Sequence, residues 1–149
     1  MNKIICPTCG NEVPIGKTLC PYCHTPLHTA SINTNLKKLI TFNIEENMPI
    51  CMEAERLLYK KIMDIRKSKV RVLKIIHGYG SSGKGGELRY CLREYLTDLK
   101  RKGIIKFWIK GEEFSNSFPS GKKLISTFRW IKSDSDYNRK NKGISLIVL

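Results

Sequence analysis

The sequence is short of acid. Thirteen Asp and Glu stand against 27 Lys and Arg, which leaves a formal charge of +14 on 149 residues. An imbalance of this size favours a polyanionic partner, and nucleic acid is the first expectation. Long apolar runs are missing too: none approaches the roughly 18 residues of a membrane span, which excludes a helical anchor. The N-terminus enters a cysteine motif at Cys6, too early for a secretory signal. A cytoplasmic protein without a membrane partner is therefore expected. Basic residues are scarce only at the start, where the first 35 residues hold just Lys3 and Lys17. Seven then lie between Lys60 and Lys74, eight between Lys84 and Lys110, and seven between Lys122 and Lys142.

Six cysteines divide into four and two. Cys6, Cys9, Cys20 and Cys23 form "CPTCGNEVPIGKTLCPYC", two CxxC pairs separated by ten residues. Each pair can make a tight turn that aims two sulfurs at one ion, and the residues between can return the second pair to the first as a short hairpin. The stretch resembles a short zinc ribbon of pattern CPxCG...CPxC, with His24 in place of the second glycine. One structural Zn2+ per chain is expected. Four thiolates and one divalent cation would change the formal charge from +14 by −4 and +2, to about +12. Cys20-Pro-Tyr-Cys23 also matches the redox dithiol of glutaredoxins, but that chemistry needs a helix starting at the motif, and Pro26 follows too soon. His24 and His28 are spare as ligands once four thiolates are in place. Cys51 and Cys91 fall in predicted helices and read as buried or half-buried thiols, reduced like the others.

Residues 1–27 thus make the cysteine unit, and the polar stretch 28–36 reads as a linker to a second domain over 37–149. There the pattern alternates. "LITFNI" from Leu39 is a strand, followed by a turn with Pro49 suited to a helix start. Ile50, Ala54, Leu57, Leu58, Ile62 and Ile65 recur at helical spacing. Val70 to Ile76 is a second strand, and Leu88, Cys91, Leu92, Tyr95, Leu96 and Leu99 make one helix face that Gly103 ends. Ile104 to Ile109 is a third strand, and "ISLIVL" from Ile144 a fourth, buried on both faces. The order β-α-β-α-β-β predicts a two-layer α/β domain with part of its sheet parallel. Residues 111–142 are long for a connection and carry "NRKNK", so they are expected to be an insertion, either a nucleic-acid-contacting loop or a mobile one.

Between the second strand and the second helix lies "IIHGYGSSGKGGELR", with five glycines in nine residues. Gly78 to Lys84 imitates the G-x4-G-K phosphate loop of ATP-binding proteins. The hydroxyl residue that should follow to ligate magnesium is missing, because Gly85 stands there. No nucleoside triphosphate is therefore expected. Glycine amides at Gly78 and Gly80, the positive start of a helix, and the charges of Lys84 and Arg89 suit a backbone phosphate instead. Basic and aromatic residues also interleave in "KFWIK" and "STFRWIK", where Trp130 is either a platform for a base or part of the core.

His77, Gly78, Gly80, Gly86, Leu88 and Arg89 together resemble the central HGxG signature of the Smr (small MutS-related) domain family. The resemblance runs in outline from about Leu39 to Leu149. It implies an α/β fold like the C-terminal domain of a bacterial translation initiation factor, and nucleic-acid binding. In several members it implies endonuclease activity, and in some, action on messenger RNA at stalled ribosomes. The family's first strand usually ends in Leu-Asp-x-His, implicated in cleavage; "FNIE" places Asn43 at the Asp and Glu45 at the His. Asn43 lacks a usable base. Glu45 and His77, both at the C-terminal ends of predicted parallel strands, are the substitute acid–base pair this chain offers. Two functions stay open: an endonuclease on RNA or DNA, and a non-catalytic adaptor that binds nucleic acid or the ribosome through the same surface.

Overall fold

A computed structural model describes residues 3–27, 39–46, 48–79 and 86–149. The N-terminal unit is a two-stranded hairpin: β1 (Lys3–Ile5) pairs antiparallel with β2 (Glu12–Pro14). The predicted linker, residues 28–36, lies outside the described residues. The second domain is built on β3 (Leu39–Asn43), α1 (Cys51–Arg66), β4 (Val72–Ile76), α2 (Glu87–Arg101), β5 (Phe107–Lys110), α3 (Pro119–Thr127) and β6 (Ile144–Val148). Its sheet runs in the order β3-β4-β6-β5. β3 and β4 are parallel, joined through α1, while β6 is antiparallel to both of its neighbours. This is the mixed α/β architecture that the hydrophobic pattern predicts. Among the described residues, no helix is long and apolar enough to cross a membrane.

Strand alternation gives the sheet two apolar faces. Leu73, Ile75, Ile147 and Leu149 turn to one side, where Ala54, Leu58, Ile62 and Ile65 of α1 and Leu92, Leu96 and Leu99 of α2 cover them. Val72, Phe107, Ile109, Leu146 and Val148 turn to the other side. Both faces are covered, so all five residues of β6 are buried. The cover on the second face is residues 111–137 together with the cysteine hairpin. Phe114, Leu124, Ile125, Phe128 and Ile131 share one cluster with Cys6, Cys9, Val13 and Cys20. The long connection is therefore ordered: a 3-10 turn at Gly111–Glu113, α3 with Pro119 in its first turn, and a second 3-10 turn at Arg129–Ser133. Its ends are pinched together at Gly111, where a Cβ would lie 2.0 Å from the Asn141 carbonyl oxygen.

One polar group interrupts the second face. Lys74, in the middle of β4, is 6% exposed. Its ammonium donates to Asp134 at 3.0 and 3.1 Å and to Asp136 at 2.7 Å. Burial disfavours the charged amine, but the two carboxylates more than offset this and hold its pKa above the ordinary lysine value. The covering segment is thus fixed to the sheet by charge as well as by apolar contact.

Cys51 and Cys91 correct one expectation. They are not separate thiols but form a disulfide, with Cα atoms 6.1 Å apart, between the start of α1 and the second turn of α2. The two helices lie side by side on the same sheet face, which brings these positions together although 40 residues separate them.

Lys74→Met keeps the aliphatic stem and leaves two half-buried carboxylates without their cation. It should lower stability by about 3 kcal/mol, read from the midpoint of urea unfolding.

Candidate metal centre and nucleic-acid interface

The four cysteine sulfurs lie within 4.8 Å of one another. Cys6 and Cys23 approach to 3.6 Å, as do Cys9 and Cys20. A tetrahedral ion with bonds of about 2.3 Å requires sulfurs about 3.8 Å apart, so the four fit one metal ion. The two turns are built alike. Gly10 donates its N–H to Cys6 and His24 to Cys20, each at 2.8 Å. Both residues adopt positive φ, 73° at Gly10 and 58° at His24, so histidine does occupy the second glycine's conformation. His28 lies outside the described residues. Burial raises the Cys9 thiol far above its ordinary pKa, and the neighbouring Cys20 sulfur adds to it. Such a thiol ionises only when a cation compensates, which is what a bound metal provides.

The hairpin is locked to the second domain by polar contacts. The Asn11 amide donates to Cys9 Sγ at 3.3 Å and to the Thr127 carbonyl at the end of α3. Trp130 donates its indole N–H to the Cys9 carbonyl at 2.6 Å, and its ring meets Phe128 edge-on. Arg129 donates to the Tyr22 hydroxyl at 2.9 Å.

At the C-terminal ends of the parallel strands lie the residues the sequence singles out for catalysis. His77 is 2% exposed. Its Nδ1 is 2.7 Å from the Gly78 carbonyl and its Nε2 is 2.9 Å from Ser145 Oγ. A carbonyl only accepts, so Nδ1 carries the proton and Nε2 accepts from the Ser145 hydroxyl. Burial pushes the imidazole pKa down to about 4, and Arg93 and Arg89 push it further in that direction against the Gly78 carbonyl. His77 is neutral at pH 7 with both nitrogens engaged. The backbone N–H groups of His77 and Gly78 both donate to the Gly143 carbonyl at 3.0 Å.

Glu45 is exposed, and its carboxylate lies against Gly78, where a Cβ would come 2.5 Å from Oε1. The Glu45 carboxylate is the far end of an exposed side chain and can give way, so it is the φ of +68° that calls for glycine. Asn43 accepts the Glu45 N–H at 3.1 Å and so caps the turn. On α2, Arg89 donates to the Tyr90 hydroxyl at 2.8 Å. Gly80 and Lys84 lie outside the described residues. The ends of β3 and β4 therefore bring Glu45, His77 and Gly78 together beside Arg89, whereas Trp130 belongs to the opposite layer, against the cysteine hairpin.

Three residues at this end escape a reading from sequence. Arg93 donates to Glu112 at 2.6 and 3.4 Å and to the Lys142 and Ile144 carbonyls. Its spacing of four from Arg89 is the available signal, since such residues share a helix face. Ser145 is a lone hydroxyl in an otherwise apolar strand, and that was its mark. Glu112 carried none.

Beside Gly78 opens a hollow of about 450 Å3 lined by Tyr79, Asp136, Arg139, Lys140, Asn141 and Lys142. The basic stretch is held in place from within. Asp136 accepts from the Asn141 amide at 2.9 Å, and Asn141 Oδ1 accepts the Gly143 N–H at 2.9 Å. Asn138 and Lys140 take positive φ, 63° and 53°, so the chain turns sharply there. Arg139, Lys140 and Lys142 are exposed, and Tyr79 is 55% exposed.

No family model matches the chain, and no curated protein matches it. Among solved structures, it is similar to the Smr domain of Thermus thermophilus MutS2, at 15% identity over 76% of this chain and 98% of that one, with a TM-score of 0.43.

His77 makes stability depend on pH. Its folded pKa of about 4 lies below the ordinary histidine value of 6.5, so the unfolded chain takes up the proton first. The neutral-ring contribution should be complete above about pH 6.5 and fall away as pH drops toward about 4, by up to about 3 kcal/mol. His77→Gln should flatten this part of a plot of unfolding free energy against pH.

Proposed function

We propose that this chain binds nucleic acid as a non-catalytic adaptor, with its cysteine hairpin held by one structural Zn2+. The observation that carries the reading is the enclosure of His77. An imidazole that is 2% exposed, neutral at pH 7 and bonded at both nitrogens does not donate a proton to a leaving oxygen. Its partners make it a strut between β4 and β6. Asn43, though exposed, is spent on a turn and offers no base, and Glu45 is the exposed carboxylate that lies against Gly78.

Binding is supported by what surrounds that edge. Tyr79 with Arg139, Lys140 and Lys142 pairs an accessible aromatic face with three cations. The net charge of +14 and the resemblance of the HGYG motif to a nucleic-acid-binding family point to the same partner class. The glycine-rich loop, through Gly78, Gly80, Lys84 and Arg89, is assigned to a backbone phosphate rather than to a nucleoside triphosphate. Four thiolates suit Zn2+, which here does structural work and leaves no position open for substrate.

The test uses zinc-loaded protein with labelled single-stranded RNA, duplex DNA and supercoiled plasmid. The expected result is retention without cleavage, with affinity falling steeply as salt rises. Each neutralised duplex phosphate contributes about 0.9 to the slope of log affinity against log salt, so replacing Arg139, Lys140 and Lys142 together by Ala should reduce the slope by about 2 to 3. Robust cleavage lost in Glu45→Gln would overturn the adaptor reading, and a flat salt response would overturn the electrostatic one. Metal analysis should find one zinc per chain, and Cys20→Ser should lose it.

A further inference from the structure

A second hollow, of about 430 Å3, opens on the seam between the cysteine hairpin and the second 3-10 turn, away from the histidine edge. Its size falls within the range of about 300 to 1,000 Å3 usual for small-ligand sites. Tyr22, from between the third and fourth cysteines, and Trp130 bring aromatic rings to it; Arg129 brings a cation; Lys3 and Glu12 bring an ion pair, closed at 3.1 Å, whose second carboxylate oxygen is not used by Lys3; and Asn11 brings an acceptor. The parts are held in place. Trp130 is tied by its N–H to Cys9, and the Arg129 guanidinium lies 5.8 Å from the centre of the Tyr22 ring while donating to its hydroxyl. Asn11 is 1% exposed, and its amide N–H groups are taken by Cys9 and Thr127, yet its Oδ1 has no hydrogen-bond partner among the described residues.

This combination has a specific chemistry. Aromatic rings beside a planar guanidinium form stacking surfaces for a flat heterocycle. Lys3, which also pairs with Glu12 at 3.1 Å, suits the phosphate attached to it, while Arg129 serves the stack. Acceptors at Asn11 and Glu12 want donors, such as the exocyclic amino and ring imino groups on the edge of an unpaired base. A duplex hides those edges and faces, so the match is to a single strand.

We infer that the seam holds one unstacked base of single-stranded nucleic acid, between the metal-bound hairpin and the Arg129–Trp130 turn. This rests on the nucleic-acid reading above and adds to it: the histidine edge meets backbone, and the seam reads a base.

The experiment compares two labelled strands of equal length, an ordinary single-stranded octanucleotide and its abasic counterpart, by fluorescence anisotropy on zinc-loaded protein. The wild-type chain should bind the base-containing strand roughly 5- to 100-fold more tightly, the usual worth of one stacked base. Arg129→Gln and Tyr22→Ala should each remove most of that advantage and leave abasic binding within about twofold. Tyr22 lies inside the cysteine motif, so zinc content is measured for both variants; Arg129 is exposed and outside the motif, so its variant decides the matter if Tyr22→Ala loses metal. Equal binding of the two strands by wild-type protein, an equal loss on both in the variants, or no change in either would overturn the base site while leaving the nucleic-acid reading in place. Binding of neither strand would overturn both.

Discussion

A lysine ammonium buried in the middle of a β-sheet face sets the terms for much of this structure. Lys74 sits where Val72 and Leu146 make the surface apolar, and an unpaired charge there would be prohibitively costly. Something must bring carboxylates to it, and that something is the segment after α3. Asp136, once drawn to Lys74, accepts from Asn141; Asn141 accepts from Gly143; and the Gly143 carbonyl receives the N–H groups of His77 and Gly78. A charge on one face of the sheet is thereby linked, bond by bond, to the histidine strut at the strand ends and to the position of Arg139, Lys140 and Lys142. The basic hollow is an indirect product of a buried cation.

The regular elements were legible because they repeat. The run "ISLIVL" has no polar face to offer water, and β6 is indeed buried throughout; α2 shows its apolar stripe at every third or fourth residue, and Gly103 ends it at φ 73°. The cysteine spacing located the sulfur cluster for the same reason: local geometry fixes it. The cover of residues 111–137 was not legible. α3 has nine residues, among them Pro119, two serines, a glycine and a threonine, too short and too polar for periodicity to register. Lys74 read as one more member of a basic cluster, since nothing in "VLKII" announces that acids 60 and 62 residues away will close on it. Pairing of Cys51 with Cys91 depended on how two helices lie on the sheet, which is tertiary information.

The site was half legible: where its residues lie could be read, and the enclosure of its histidine could not. The positions of Glu45, His77 and Gly78 at one edge follow from the parallel pairing of β3 and β4, which sequence order predicts. Whether an imidazole faces solvent or a serine hydroxyl does not follow from order. Ser145 pairs in register with Ile75 on the neighbouring strand, and the same side of the sheet carries His77 two residues on. The partner of the histidine was thus fixed by strand register, a property no motif encodes. On the adaptor reading proposed above, a residue type suited to acid–base work serves as a hydrogen-bonded spacer.

The cysteine hairpin docks on chain that is made long after it. Asn11 meets Thr127 across 116 residues, and Cys9 meets Trp130 across 121. During synthesis from the ribosome, at about 5 to 20 residues per second, the hairpin waits several seconds before its docking surface exists. For that interval its apolar side, including Val13, has no cover from the second domain. Capture of a metal by the four nearby sulfurs, if the cluster is used as proposed above, would need none of the later chain and would order the hairpin first. Docking would then join a preformed piece rather than a disordered one, so that the hairpin's own ordering cost is met beforehand and only the closure of the long intervening loop remains.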